Sequence, residues 1–438
     1  MRPPDGRDSS PQARLRREHE RAILRAIRSR PVVSRTQLAQ EHGLSGQSIG
    51  RIVRGFLEDG LVEETAIERL AGSGAPRIGL RARRDGAFAF GFGLERDQVT
   101  GVILDFAGKV RWRSSRRIPA GEPAMATLRR LEDDVRWVSG LPQWAARRDR
   151  LCGVGIAVPG PIDLTAGRIV GPPNFAGWQH VELAEELSQA LGLPIVVDNA
   201  ATAAAVGTRW HLRRVSRPLV YCYWGLGIGG GLVIDDEAYR GTTGNSVEIG
   251  HVVVSTGGRR CDCGGSGCLE AEASAAAIIR DASAYGSFSS VREIVAATAA
   301  SPDLARILTM AAEKTASALL TVVNIVDVDE VVMGGEHFAE VEELFLPVIR
   351  DQLARRSFRR QIASTTVTVS TLGEAASAIG AAELVLDSVL PSVSPRRPVV
   401  VQRPAHLAVA RAGRLPGSGD VLPTPIFRRG QETEQRRT

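Results

Sequence analysis

Along this chain the spacing of apolar residues changes character at about residue 85. Upstream, Ile23, Leu24 and Ile27 lie on one face of a turn, predicting a short amphipathic helix over residues 20–30. Ser34-Arg-Thr-Gln37 is a capping box, so a second helix starts there and runs to His42. Gly43-Leu44-Ser45 breaks it, and Ser45 caps a third helix over 46–59. Residues 61–64 and 78–82 read as strands flanking a glycine-rich turn at 72–77. Three helices and a hairpin describe a winged helix-turn-helix, assigned to residues 19–84.

From residue 85 to 390, short apolar runs alternate with alanine-rich stretches. Strands are predicted at 87–94, 99–105, 151–158, 194–197, 219–224, 231–234, 330–333 and 366–370. Long helices are predicted near 271–285 and 301–325. Strand–helix alternation with glycine-rich turns indicates an α/β body. Residues 1–18 are polar, and 391–438 hold 7 of the 23 prolines, so both ends are expected to be disordered.

The 438 residues exceed one ordinary domain, and 43% apolar with 24% charged residues excludes wholesale disorder. No apolar run reaches the ~18–20 residues of a membrane helix, and the start lacks an apolar signal segment. Residues 1–84 carry 17 Lys and Arg against 10 Asp and Glu, whereas 85–390 carry 29 against 36 and 391–438 carry 9 against 3. A basic head on an acidic body suggests that the head alone meets nucleic acid. Only Lys109 and Lys314 are lysines, so the arginine excess fits a GC-rich genome and is not itself a DNA signal. Five cysteines, three of them within eight residues, argue against a disulfide framework and for a reducing cytoplasm with a metal site.

In the head, Leu38, Ala39, Leu44, Ile49 and Ile52 fall where two crossing helices bury their contact. The third helix then offers Gln47, Ser48, Arg51 and Arg54 on its outer face, residue types that reach base edges or phosphates. Arg77 in the turn suits a minor groove or the DNA backbone. The bland alternative is a protein-interaction module with a solvated face. In the body, His251, Cys261, Cys263 and Cys268 give H-x9-C-x-C-x4-C, with glycines that permit a tight loop. Three thiolates and one imidazole complete a closed tetrahedral shell, hence a structural zinc site rather than a catalytic one. The alternative is three reduced thiols beside a buried histidine.

Glu248-Ile-Gly250-His251 followed by Cys261-x-Cys263-Gly-x-x-Gly-Cys268-x-Glu270 resembles the zinc signature of the ROK family of repressors and sugar kinases. Gly225-Leu-Gly227-Ile-Gly229-Gly-Gly231 resembles its second phosphate loop, Pro172-Pro-Asn174-Phe-Ala-Gly177-Trp178 its sugar-contacting segment, and Gly334-Gly335 its late glycine turn. The resemblance covers about residues 15–390, including the winged helix of the repressor branch. It implies a two-lobed actin/hexokinase-like fold, with sugar contacts at Asn174, Asn199, Glu248, His251 and Glu270.

Against the family's kinases, however, three parts are altered. Their base is an Asp within an Asn-Asp-Ala-Asn run; here the run is Asp198-Asn199-Ala200-Ala201, with Ala200 at the base position. Their first phosphate loop, Asp-x-Gly-Gly-Thr, becomes Gly93-Leu-Glu95-Arg-Asp97, whose carboxylates repel triphosphate, and Leu226 replaces a loop threonine. Asp198, two residues from Ala200, is the remaining carboxylate that can share its face. The expectation is a repressor of carbohydrate genes without kinase activity or bound ATP. It would bind double-stranded operator DNA as a homodimer or homotetramer and answer to a sugar effector. Its rivals are an active sugar kinase with a DNA-binding head and a ligand-blind DNA-binding protein.

Overall fold

The computed structural model describes residues 11–66, 78–119, 121–172, 177–212 and 217–389. The head is built from α1 (Pro11–Arg28), β1 (Val33–Ser34), α2 (Arg35–His42), α3 (Gly46–Glu58), β2 (Val62–Ala66) and β3 (Ile78–Ala82). Helix α1 starts at Pro11 rather than residue 20, so residues 11–18, expected to be disordered, are helical. Its buried stripe, Ile23, Leu24 and Ile27, is the one the spacing picked out. The capping box forms: Ser34 Oγ accepts from the Gln37 N–H at 3.2 Å, and Gln37 Oε1 accepts from the Ser34 N–H at 2.9 Å. Gly43 ends α2 in the left-handed region at φ 62°, where only glycine is unstrained. The three strands pair in the order β1-β3-β2. Strand β1 escaped the sequence pattern because two residues show no period.

The body holds two sheets of the same plan. The first contains β4 (Phe88–Leu94), β5 (Gln98–Asp105), β6 (Val110–Arg117), β7 (Leu151–Val158) and β10 (Ile195–Asn199), ordered β10-β7-β4-β5-β6. Between β7 and β10 lies a small hairpin of β8 (Ile162–Asp163) and β9 (Arg168–Ile169). The second sheet contains β11 (Leu219–Trp224), β12 (Ile228–Ile234), β13 (Glu237–Tyr239), β14 (Glu330–Gly334) and β15 (Thr366–Val369), ordered β13-β12-β11-β14-β15. In each, a three-stranded antiparallel meander is extended by two parallel strands. Strand β6 was not predicted: half its residues face solvent, and it carries Arg111, Arg113, Arg116 and Arg117.

Helices α4 (Ala124–Gly140), α5 (Pro142–Ala145) and α6 (Leu183–Leu191) belong to the first lobe. Helices α8 (Leu269–Ala273), α9 (Ala275–Ala282), α10 (Val291–Ala297), α11 (Pro302–Val326) and α12 (Phe338–Arg356) cover the second. The single helix expected over 271–285 is two, broken at Ser274, whose hydroxyl caps α9 by accepting from the Ala277 N–H at 3.2 Å. Two further helices, α7 (Ala200–Leu212) and α13 (Ala376–Val389), pack face to face between the sheets. The packing leaves no room for side chains. A Cβ on Gly207 would lie 2.8 Å from the Ala376 carbonyl oxygen, and one on Gly380 would lie 1.7 Å from that of Ala203. The alanine content of both helices is the sequence cause of this close approach.

Salt bridges join head to body. Arg25 pairs with Asp387, its Nε standing 2.6 Å from Oδ1, and Arg28 donates to Glu383 at 2.7 Å with both side chains buried. The Arg28 guanidinium is sandwiched between Phe106 and Trp210, 4.7 and 4.5 Å from the ring centroids.

Candidate functional site

On α3, Gln47, Arg51 and Arg54 are exposed and point outward, while Ile49, Ile52, Val53 and Phe56 are buried behind them. Ser48 is half-buried and tied to the cap: its hydroxyl lies 3.0 Å from Ser45 Oγ, which also accepts from its N–H at 3.2 Å. Three other head arginines are neutralised. Arg30 pairs with Glu41 at 2.8 Å, Arg35 with Glu64 at 2.7 Å and Arg81 with Glu63 at 2.6 Å. Among the described residues, Arg51 and Arg54 join no ion pair. Arg77 lies outside the described residues.

Between the lobes is a cleft of about 150 Å³. Asn199, Ala200, Glu248, His251 and Glu270 line it, so four of the five expected sugar contacts meet there; Asn174 lies outside the described residues. Asn199 caps α7: its Oδ1 accepts from the N–H groups of Ala201 at 2.8 Å and Thr202 at 3.3 Å. That engages the amide oxygen and leaves Nδ2 for the cleft, lying 3.2 Å from where a Cβ on Gly160 would stand. Glu248 follows Val247, a β-branched residue at φ 60°, and burial pushes its carboxyl above the usual range. Glu270 Oε2 accepts from the Ile228 N–H at 2.9 Å, which ties α8 to the glycine loop of β12.

Asp198 does not share the face of Ala200. Its Oδ2 accepts from Arg240 Nε at 3.0 Å and Nη2 at 2.7 Å, both side chains being nearly buried. The reason is where the strand ends: β10 stops at Asn199 and α7 begins at Ala200, so the i, i+2 alternation that would put Asp198 and Ala200 on one face does not carry across the junction, and a guanidinium waits on the side Asp198 faces.

Sequence reasoning also missed residues that line the cleft from the second lobe, Tyr223 and Glu336. Glu336 follows the Gly334-Gly335 turn at the carboxyl end of β14, where ligands gather in α/β sheets. Its Oε1 accepts from the Leu226 N–H at 3.4 Å, so a carboxylate already occupies part of the second phosphate-type loop. Glu95, from the β4–β5 turn, meets it across the cleft. Burial raises the Glu95 carboxyl well above the usual range, and the adjoining Glu336 carboxyl adds to the shift.

Beside the cleft, His251, Cys261, Cys263 and Cys268 bring one ligand atom each within 4.8 Å of one another. His251 Nδ1 lies 3.7 Å from Cys261 Sγ, and Cys263 Sγ lies 3.7 Å from Cys268 Sγ. A tetrahedral ion with Zn–S bonds of ~2.3 Å requires S···S separations of about 3.8 Å, so these residues fit such a metal. Backbone donation by Gly265 holds the Cys263 thiol below its usual value, whereas burial pushes that of Cys261 up to about 12 and raises that of Cys268. The loop reaches the cleft directly: His251 belongs to the 249–251 turn behind Glu248, and Glu270 stands two residues after Cys268.

Comparison with known proteins agrees with this architecture. A family model described as "ROK family" matches residues 100–388. A xylose repressor of Caldicellulosiruptor bescii is 28% identical over 394 residues, spanning 86% of this chain and 97% of that protein. A solved ROK family transcriptional regulator, a homologue of the Escherichia coli MLC protein, superposes with a TM-score of 0.70 at 24% identity, over 85% of this chain and 97% of its own. A Streptomyces griseus ROK glucokinase solved with glucose and AMPPNP reaches a TM-score of 0.59 at 25% identity, over 68% of this chain and 99% of its own. The fold is therefore the two-lobed actin/hexokinase-like one.

Proposed function

The chain belongs to the ROK family, and we propose from that premise that it is a sugar-responsive transcriptional repressor that performs no phosphoryl transfer. The observation that carries this reading is the pair of arginines, Arg51 and Arg54, unpaired among the described residues, on a winged helix docked to a body that holds a sugar-type cleft without a base. Gln47 and Ser48 on the same helix, and Arg77 of the turn by its residue type, are the further contacts of this reading. The protein acts in the cytoplasm on double-stranded operator DNA, as a homodimer or homotetramer whose two-fold symmetry matches a palindromic site.

The repressor names of its relatives support a non-enzymatic role, and the cleft supplies a physical reason. Ala200 has no proton acceptor, and Asp198 is held by Arg240. Glu95 and Glu336 put carboxyl groups where a nucleotide's phosphates would need donors. The effector is a carbohydrate: Glu248 and Glu270 accept from its hydroxyls, Asn199 donates, and Asn174 is a further contact expected from the family resemblance. A structural Zn2+ held by His251, Cys261, Cys263 and Cys268 cross-links the segments carrying Glu248 and Glu270, and so fixes their spacing.

Coupling follows from α7 and α13. Helix α7 starts at the cleft floor and, about 15 Å on, presents Trp210 to Arg28 of the head. Helix α13 packs along it and holds Arg28 and Arg25 through Glu383 and Asp387. Lobe closure that shifts this helix pair re-aims α1 and with it α3, provided the sugar binds the two conformations unequally. Footprinting on the chain's own promoter with and without candidate sugars tests the reading. A protected palindrome lost or gained with one sugar supports it; sugar-dependent ATP consumption at an enzymatic rate would overturn it.

A further inference from the structure

The nucleotide side of the cleft is closed to anions but not filled. Glu95 rises from the first lobe and Glu336 from the second, and their carboxyl groups are hydrogen-bonding neighbours there. Glu95 is 6% exposed, and its Oε2 is buried without a hydrogen-bond partner among the described residues. Glu336 engages one oxygen with the Leu226 N–H at 3.4 Å and lies 3.6 Å from His337 Nε2. Glu248 and Glu270 stand further along the same cleft, and the only guanidinium among the described lining residues is that of Arg96.

A buried carboxyl oxygen without a partner is costly, about 1–3 kcal/mol, unless something donates to it when the protein works. Phosphate and other anions are excluded by the sign of the charge. A metal ion is disfavoured by donor count: among the described residues, only the His251 cluster brings three or more ligand atoms together. What fits two facing carboxyl groups is a compact cation with several N–H donors, which an alkylammonium supplies.

We propose that the Glu95–Glu336 pair is a subsite for an ammonium group, and that the effector is a carbohydrate carrying a free amine. The proposal rests on the sugar-effector reading above and narrows it. One glutamate comes from each lobe, so an ammonium between them bridges the lobes and favours the closed form. The same pair rejects nucleotide, so one structural change both removes the kinase's second substrate and sets the effector's charge.

The test is calorimetric titration of the full-length protein with glucosamine, 6-amino-6-deoxyglucose, glucose and N-acetylglucosamine, with ammonium chloride as a further arm at matched ionic strength. The expected result is that one amino sugar binds roughly tenfold or more tightly than its neutral counterpart, the size of one charge-assisted hydrogen bond. That preference should collapse in Glu336→Gln. A second variant, Glu95→Gln, keeps the test readable should the first fold poorly, because it keeps the side chain's volume. Neutral sugars binding as tightly as amino sugars would overturn the ammonium subsite and leave the sugar effector standing. Binding of no sugar at all would overturn both. Heat from ammonium chloride equal to that of the amino sugar would assign the pair to a free cation and overturn the carbohydrate part.

Discussion

The outer face of α3 and the floor of the cleft are alike in one respect and opposite in another. Both hold ionisable groups without a partner among the described residues: Arg51 and Arg54 join no ion pair on the first, and the Oε2 oxygen of Glu95 has no hydrogen-bond partner on the second. The signs are reversed, as in the chain at large, where the head is basic and the body acidic. By contrast, the bridges of Arg25 and Arg28 at the head–body joint and the Asp198–Arg240 pair are neutralised within the fold. These paired charges hold the scaffold in place, whereas the helix face and the cleft present unlike fields to incoming ligands, basic on the first and acidic on the second.

Predictions that sharpen or break this contrast run from large effects to small. Loss of the metal should matter most, since the cluster clamps the segments carrying Glu248 and Glu270. Elemental analysis should find about one zinc per chain, absent in a Cys263→Ser/Cys268→Ser variant, with destabilisation of ~4 kcal/mol or more and no remaining stabilisation by sugar. Asp198→Ala should cost about 3–5 kcal/mol in denaturant unfolding, because Arg240 is left buried and unpaired. A function in proton abstraction would instead leave stability largely intact. Arg51→Ala should weaken operator binding by about 1–3 kcal/mol with unchanged unfolding, while Arg81→Ala, already paired with Glu63, should change binding far less.

Acid should loosen the joint. Burial alone would raise the Asp387 carboxyl, but its bonds to Arg25 prevail and hold it below the usual value. A lowered folded value contributes stability above the ordinary Asp range of ~3.9 that is lost as pH falls through the folded value. Hydrogen exchange in α1 should therefore rise at the acid end before that of α13, and Asp387→Asn should abolish the pH dependence. The smallest effect is at Glu95, whose raised value has the opposite sign. Its burial costs stability as pH rises above ~4.3, so Glu95→Gln should raise the melting temperature at neutral pH and leave it unchanged at acid pH.

Much of this was legible in the chain because it is local. The capping box at Ser34, the left-handed turn at Gly43 and the spacing of the metal ligands each need only neighbours in sequence, and the structure forms all three. What escaped depends on distant partners. That Asp198 faces Arg240 rather than the cleft is decided by a contact 42 residues away. Glu336 belongs to the site only because β14 ends beside the loop after β11, which no period in its own segment reveals. Strand β6 hid behind its arginines, and β1 was too short to show alternation.

The central claim is that this scaffold recognises rather than converts: its basic head reads DNA under control of an acidic cleft. The most direct measurement is the affinity of the full-length protein for duplexes from its own locus, titrated with carbohydrates in the absence of ATP. The account predicts specific binding that one sugar shifts by about tenfold or more, within the usual range of allosteric coupling. Specific binding that no carbohydrate alters, or no preference for these duplexes over unrelated DNA, would contradict it.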